Sequence, residues 1–326
     1  MAEITEGAPQ TKPDDQPGYE EMVPLSAWSD DRADPEGEEE QPDFAGAELL
    51  DMHYRNLEDA NNRIKEPLVG GRMRIEVVRH GQHENGHLTP EGRDEITQQA
   101  RDLVTKNLDA NPGTYFMTMA SDTQHFGKEG PGGFRAQETA DIYNQVIREE
   151  LAKRGLPPEQ LFEEPDAKDK SANTTPHLAE PDIYVQGGMG YLATKYGGTP
   201  LGPYGTYFSG EADDDLQQQF NAETSKELAA RTDYEIKMME TVGASFFRDI
   251  FSDKKQLVEI LVTHGELVRN YLHNVAGVPL DQLEVGTGKG FELRLDPTTN
   301  TVVADFKGES YPIRNYDTFE HPNRIP

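Results

Sequence analysis

Two apolar segments of this chain end in the same way, and that repetition restricts its fold more than any other feature. Residues 73–79 (MRIEVVR) run into Arg79-His80-Gly81-Gln82, and residues 257–262 (LVEILV) run into Thr263-His264-Gly265-Glu266. Both are apolar and rich enough in β-branched residues for buried strands, and both are followed by helical signals. After the first come Thr89 and Pro90, suited to an N-cap and first helical position, then Ile96, Ala100, Leu103 and Val104 at helical spacing. After the second come Val268, Tyr271, Leu272 and Val275, with a stop at Gly277. A strand over 114–120 and a helix carrying Ala136, Ala140, Tyr143, Ile147 and Leu151 fall between them. Helical patterns return over about 214–251, including Ile236, Met239, Phe246 and Ile250, and segments 291–295 and 301–306 flank DPTTN as a hairpin. Strand and helix alternating in this way predict an α/β fold, a three-layer α/β/α sandwich with a mostly parallel sheet.

Ligand sites in open α/β sheets gather at the carboxyl ends of strands. His80 and His264, 184 positions apart in sequence, are therefore expected to converge. Gly81 and Gly265 let the backbone approach a bound group and are expected to leave an N–H free to donate. The helix starts add donors and a positive dipole end, which suits an oxyanion, and Arg79 adds a forked cation. One imidazole can attack phosphorus while the other, with the arginines, stabilises the charge in flight. The competing reading is of two turn histidines satisfied by nearby backbone.

Charge and composition narrow the partners. The chain holds 31 Lys/Arg against 60 Asp/Glu, a net charge of −29, and no cysteine. So acidic a surface argues against nucleic acid or anionic membranes as partners through bulk charge. Lack of cysteine excludes disulfides, thiolate metal sites and cysteine nucleophiles. No apolar run approaches the ~20 residues that span a bilayer. The first residues, MAEITEGAPQ, lack the basic-then-apolar pattern of a signal peptide, so a cytoplasmic protein is expected. Residues 1–50 hold 15 Asp/Glu and two Lys/Arg and are expected to form a disordered acidic tail. A lead-in over 51–72, a folded domain over 73–315 and a short tail over 316–326 complete the expected organisation.

Four blocks carry a resemblance: VVRHGQ at 77–82, LTPEGR at 88–93, ASD with RAQETA at 120–122 and 135–140, and LVTHGE at 261–266. In this order they resemble the histidine phosphatase superfamily, with its phosphoglycerate mutase-like fold, across about residues 73–277. The resemblance implies that His80 is the nucleophile and forms a phosphohistidine. It implies that Arg79, Arg135 and His264 complete a phosphate pocket, with no metal and no cofactor. It also implies an acidic proton donor ahead of a lid. Leu178-Ala179-Glu180 offers Glu180, with Asp182 next and Glu163 or Glu164 after it. The implied activity is phosphomonoester hydrolysis on a phosphorylated small molecule or a phosphoprotein, with mutase-type phosphoryl transfer as the alternative.

Several departures bear on that choice. Leu88 follows His80 by only eight positions, and the Trp-Asn pair usual in the mutases is absent, which resembles the short-loop phosphatases. An insertion, TQHFGKEGPGGF, lies between Asp122 and Arg135. Residues 186–210 hold eight glycines and five aromatics, within a lid or insertion expected over about 165–212. Two other readings compete. His80, His83 and His87 lie close enough for a metal hydrolase cluster, though within a turn that contains Asn85-Gly86. A catalytically dead scaffold that binds a phosphorylated partner is countered by the intact Arg79, His80, Arg135 and His264. Gly286-Thr287-Gly288-Lys289 lacks the spacing of a phosphate loop.

Overall fold

The computed structural model describes residues 68–124, 126–127, 130–162, 173–184, 186–249 and 255–315. The acidic tail over 1–50, residues 51–67, the tail over 316–326 and the donor candidates Glu163 and Glu164 lie outside the described residues. Packed residues include some ahead of Met73: Leu68 and Val69 are buried, and the Leu68 N–H donates to Glu240 Oε1 at 2.7 Å.

The chain then alternates as its periodicity requires. Strand β1 (Met73–Arg79) leads to helix α1 (Pro90–Ala110), strand β2 (Thr114–Ser121) and helix α2 (Arg135–Lys153). Thr89 caps α1, its side chain accepting from the Gly92 N–H, with Pro90 in the first turn. Short strands β3 (Leu161–Phe162) and β4 (Asn173–Thr175) precede four helices: α3 (Gly188–Tyr196), α4 (Gly202–Phe208), α5 (Asp213–Phe220) and α6 (Ser225–Asp249). Strand β5 (Gln256–Thr263), helix α7 (Gly265–Asn274) and the antiparallel strands β6 (Gly290–Asp296), β7 (Thr301–Phe306) and β8 (Glu309–Asn315) close the fold.

In the sheet the order is β8-β7-β6-β1-β5-β2-β3, with β4 also on β2. Its inner strands β1, β5 and β2 are parallel, and β6 to β8 extend one edge antiparallel. The sheet is thus mostly parallel between two helical layers. On one face Val78, Phe116, Val258 and Ile260 pack on Ile96 and Val104 of α1 and Tyr143 and Ile147 of α2. On the other, Ile75, Val77, Leu257 and Leu261 pack on Ile236 and Met239 of α6 and Val268 and Leu272 of α7. The same face buries an acid: Glu259 of β5 is fully enclosed, and neither carboxylate oxygen has a hydrogen-bond partner among the described residues. Burial pushes its pKa well up, and the neighbouring Glu240 and Glu235 carboxylates push the same way.

Two expectations change in detail. The helical pattern over about 214–251 is two helices, broken where Asn221 takes a left-handed φ of 47°. The Gly- and Tyr-rich stretch contains α3 and α4, which share a core with α6 and α7. Ile183, Leu192, Tyr207, Phe208, Leu216, Leu228 and Leu267 are buried together there. Tertiary burial of that apolar face stabilises helices whose glycines would leave them unstable alone.

Candidate active site

Pairing of β1 with β5 places Arg79 opposite Thr263, so His80 and His264 leave the sheet side by side. Their ring centroids are 5.3 Å apart. The His80 amide donates to the Thr263 carbonyl at 2.9 Å, which continues the ladder one residue beyond the strand.

His80 is 3% exposed, and its Nδ1 lies 2.8 Å from the Gly81 carbonyl. A carbonyl only accepts, so Nδ1 carries the proton and Nε2 keeps the lone pair. Burial holds the imidazole's pKa well below the ordinary 6.5, and His264 and Arg135 reinforce that shift. The ring is therefore neutral at pH 7, with Nε2 available as a nucleophile.

Arg135 and His264 sit beside it. Arg135, the first residue of α2, is 7% exposed, and its Nη2 lies 3.4 Å from His264 Nδ1. Glu180 joins both: its Oε1 bonds Arg135 Nη2 and lies 3.2 Å from His264 Nδ1. The other side of the His264 ring, Nε2, meets Ser121 Oγ at 2.9 Å at the end of β2. Ser121 in turn bonds Thr123 Oγ1 at 2.9 Å, and that hydroxyl accepts the Glu180 N–H at 3.1 Å. The ends of β1, β5 and β2 thus bring His80, His264 and Ser121 together, and the start of α2 and the turn before Glu180 add the arginine and the acid.

Arg79 forms the remaining wall. Its Nη1 donates to the Val285 carbonyl at 2.8 Å, while its buried Nε has no partner among the described residues. Burial lowers its pKa from the ordinary value, and Glu266 opposes that shift. Gly265 explains how the guanidinium reaches this position: a Cβ there would lie 3.0 Å from Arg79 Nε. Gly265 also begins α7 directly after His264, and among the described residues no side chain caps that N-terminus, which leaves its first-turn N–H groups without a capping partner. At the rim, Tyr184 Oη donates to Glu266 Oε1 at 2.8 Å and lies 3.3 Å from Tyr204 Oη.

Gly81 requires a correction. Its N–H, expected to be free for a phosphate, donates to Thr139 Oγ1 at 3.1 Å. Thr139 gives its own proton to the Arg135 carbonyl at 2.9 Å and so presents a lone pair to Gly81. What Gly81 contributes is space, since a Cβ would lie 2.8 Å from Ile96 Cγ1. Gly92 of LTPEGR acts alike, letting α1 abut the loop where a Cβ would come within 2.3 Å of the Gln82 carbonyl oxygen.

The remaining expected residues fall in different places. Asp182 is turned away from the histidines; its Oδ1 accepts the Glu223 N–H at 2.6 Å. The histidine cluster is divided: the His83 ring lies 5.0 Å from that of His80, but His87 points out and pairs with Glu138 at 2.6 Å. Among the described residues no group of three or more His, Asp or Glu is arranged to hold a metal. In the insertion, His125 and Lys128 lie outside the described residues. Sequence reasoning assigned no role to Ser121, Thr123, Thr139 or Glu138. Ser121 had a legible signal, since it ends a strand on the same sheet edge as both histidines. Glu138 also bonds Arg93, which ties RAQETA to LTPEGR.

No protein-family model matches the chain, and no curated protein matches it. Solved structures do resemble it. Phosphoglycerate mutase from Bacillus anthracis is 14% identical, with 73% of this chain and 93% of that one covered and a TM-score of 0.45. A mycobacterial glucosyl-3-phosphoglycerate phosphatase is 16% identical, with 73% and 99% covered and a TM-score of 0.43. Bacillus stearothermophilus YhfR is 17% identical, with 73% and 97% covered and a TM-score of 0.34. At these scores the likeness assigns no activity, and the functional reading rests on the residues of the site. Among the described residues no helix is long and apolar enough to cross a membrane.

Proposed function

We propose that this protein hydrolyses phosphomonoesters through a phosphohistidine on His80, acting on a phosphorylated small molecule or a phosphoprotein. The observation that carries the reading is the fixed tautomer of a buried, neutral His80, set between Arg79, Arg135 and His264 with the Glu180 carboxyl in reach.

His80 Nε2 attacks phosphorus, and the N–P bond forms as the bond to the leaving oxygen breaks. Arg79, Arg135 and the N-terminus of α7 stabilise the phosphoryl oxygens. Glu180 gives its proton to the departing alkoxide. In the free protein Glu180 sits on Arg135; a phosphate dianion takes that cation, and loss of the ion pair beside a new negative charge raises the proton affinity of Glu180. Water then attacks phosphorus, Glu180 takes its proton, and the N–P bond returns its electron pair to His80.

The test uses the full chain with p-nitrophenyl phosphate and 3-phosphoglycerate, each in EDTA, followed by rapid quenching. An acid-labile, base-stable phosphoenzyme and release of inorganic phosphate are expected, because arginines supply the positive charge. Isomerisation of 3-phosphoglycerate without phosphate release would establish the mutase instead. Turnover that needs added zinc or manganese would overturn the reading.

A further inference from the structure

The segment that carries Glu180 has almost no regular structure to satisfy its backbone. Strand β4 ends at Thr175, and one tight turn, Pro176–Leu178, leads into Ala179 and Glu180. Four consecutive carbonyls here nevertheless all accept hydrogen bonds, and a single side chain serves three of them. Arg231 of α6 donates from Nη1 to the His177 carbonyl at 2.7 Å and the Pro176 carbonyl at 3.3 Å, and from Nη2 to the Ala179 carbonyl at 3.2 Å. The fourth, Leu178, accepts from Thr263 Oγ1 at 2.7 Å.

The guanidinium is itself held. Its Nε and Nη2 form a forked pair with Glu223 at 2.7 and 2.8 Å. The Glu223 N–H then donates to Asp182 Oδ1 at 2.6 Å, just past Glu180. A closed ring of bonds therefore runs from α6 through Glu223 to Asp182 on one side of Glu180, and from α6 through Arg231 to Ala179 on the other. Lysine cannot replace this arrangement, because only a planar fork spans a carboxylate and three carbonyls together.

We infer that Arg231 is a positioning residue that holds Glu180 where it can protonate the leaving group, and so sets activity on unactivated alkyl phosphates. The inference rests on the proposed phosphohistidine reaction. It predicts a dependence that a general scaffold role would not produce. A p-nitrophenolate leaves without a proton, whereas an alkoxide does not, so loosening Glu180 should affect the two substrates unequally.

The experiment measures phosphoenzyme formation by rapid quench in the full chain, with p-nitrophenyl phosphate and with glycerol 2-phosphate. Wild type, Arg231→Lys, Arg231→Ala, Glu180→Gln and the Arg231→Ala/Glu180→Gln double variant are compared. For Arg231→Ala the rate with glycerol 2-phosphate should fall about 100-fold, the scale of a general-acid contribution, and with p-nitrophenyl phosphate no more than about threefold. Arg231→Lys, which keeps the charge, should show the same selective loss. On glycerol 2-phosphate the double variant should be no slower than Glu180→Gln. Equal loss on both substrates in both Arg231 variants, or losses that multiply in the double variant, would overturn the inference. Failure of the phosphohistidine reading looks different: wild type would then form no phosphoenzyme from either substrate.

Discussion

Replacing Glu235 by glutamine should make the protein more stable at alkaline pH and leave it nearly unchanged at pH 4.5. Glu235 is 5% exposed on α6. Burial pushes its pKa from 4.5 up to about 7, against the opposing pull of a Thr175 hydrogen bond and the Arg231 charge. In the unfolded chain the carboxyl ionises near 4.5, while in the folded chain it keeps its proton to about 7. Between those values the folded state binds the extra proton, so its stability falls as pH rises, and above about 7 the loss is complete. At ~1.4 kcal/mol per pH unit, the rise from 4.5 to about 7 corresponds to about 3.5 kcal/mol in full, of which about 3 kcal/mol is lost between pH 4.5 and pH 8. Glutamine keeps a hydrogen-bonding head without the charge and escapes this loss. The difference in unfolding free energy between Glu235→Gln and wild type, from urea titrations at pH 4.5 and pH 8, should therefore grow by about 3 kcal/mol in favour of the variant. In thermal melts the same change is on the order of 6–12 °C for a domain of this size. Comparing two proteins cancels every carboxylate that does not interact with Glu235; Glu259 does, but its pKa is held up chiefly by burial, which the substitution leaves in place. A difference that stays constant across this range would show that Glu235 titrates normally and that the interior around α6 is wetter than the packing implies.

Two further outcomes follow from the site. His80→Ala should lower turnover by three orders of magnitude or more with an unchanged melting profile; because burial keeps the His80 pKa well below 6.5, wild-type kcat/KM should show no loss from its protonation between pH 7 and 6.5. Gly265→Ala should reduce kcat/KM on the order of tenfold, since its Cβ would press on Arg79 Nε at 3.0 Å and move the guanidinium; wild-type kinetics from this variant would show that Arg79 does not contact substrate.

What could be read from the sequence, and what could not, divides by the range of the forces involved. Strands β1 and β5 and helices α1, α2 and α7 were legible because each carries an apolar period that its own neighbours complete. The convergence of His80 and His264 followed from one rule about strand ends. Helices α3 and α4 were not legible: their glycines erase local propensity, and the burial that stabilises them comes from Leu228 and Leu267, far along the chain. The fate of the Gly81 N–H was equally hidden, because it depends on a hydroxyl from another element, Thr139. Glu180 was reached through resemblance alone, and its separation from Asp182 needed the bond from Asp182 to the Glu223 amide. Arg231 reads in sequence as an ordinary helix cation, and nothing local marks the three carbonyls it gathers.

The direct contact between β1 and β5 has a consequence for how freely this protein can be rewritten. Everything between residues 80 and 256 is, for the histidine pair, one long excursion that departs from a strand and returns to its neighbour. Seven consecutive backbone pairings, from Met73 with Leu257 to Arg79 with Thr263, hold the two ends of that excursion together. Inside it, the stretch from Gly188 to Phe220 is a module that makes none of those pairings, but its buried side chains pack on Leu228 of α6 and Leu267 of α7, so a replacement must keep that apolar seam. A graft that keeps the seam would change the surface beside Tyr204 while His80 and His264 keep their spacing. The same seven pairs mark the opposite limit: a one-residue slip between these two strands would part the histidines along the strand axis by about 3.3 Å and turn alternate side chains out of their layer.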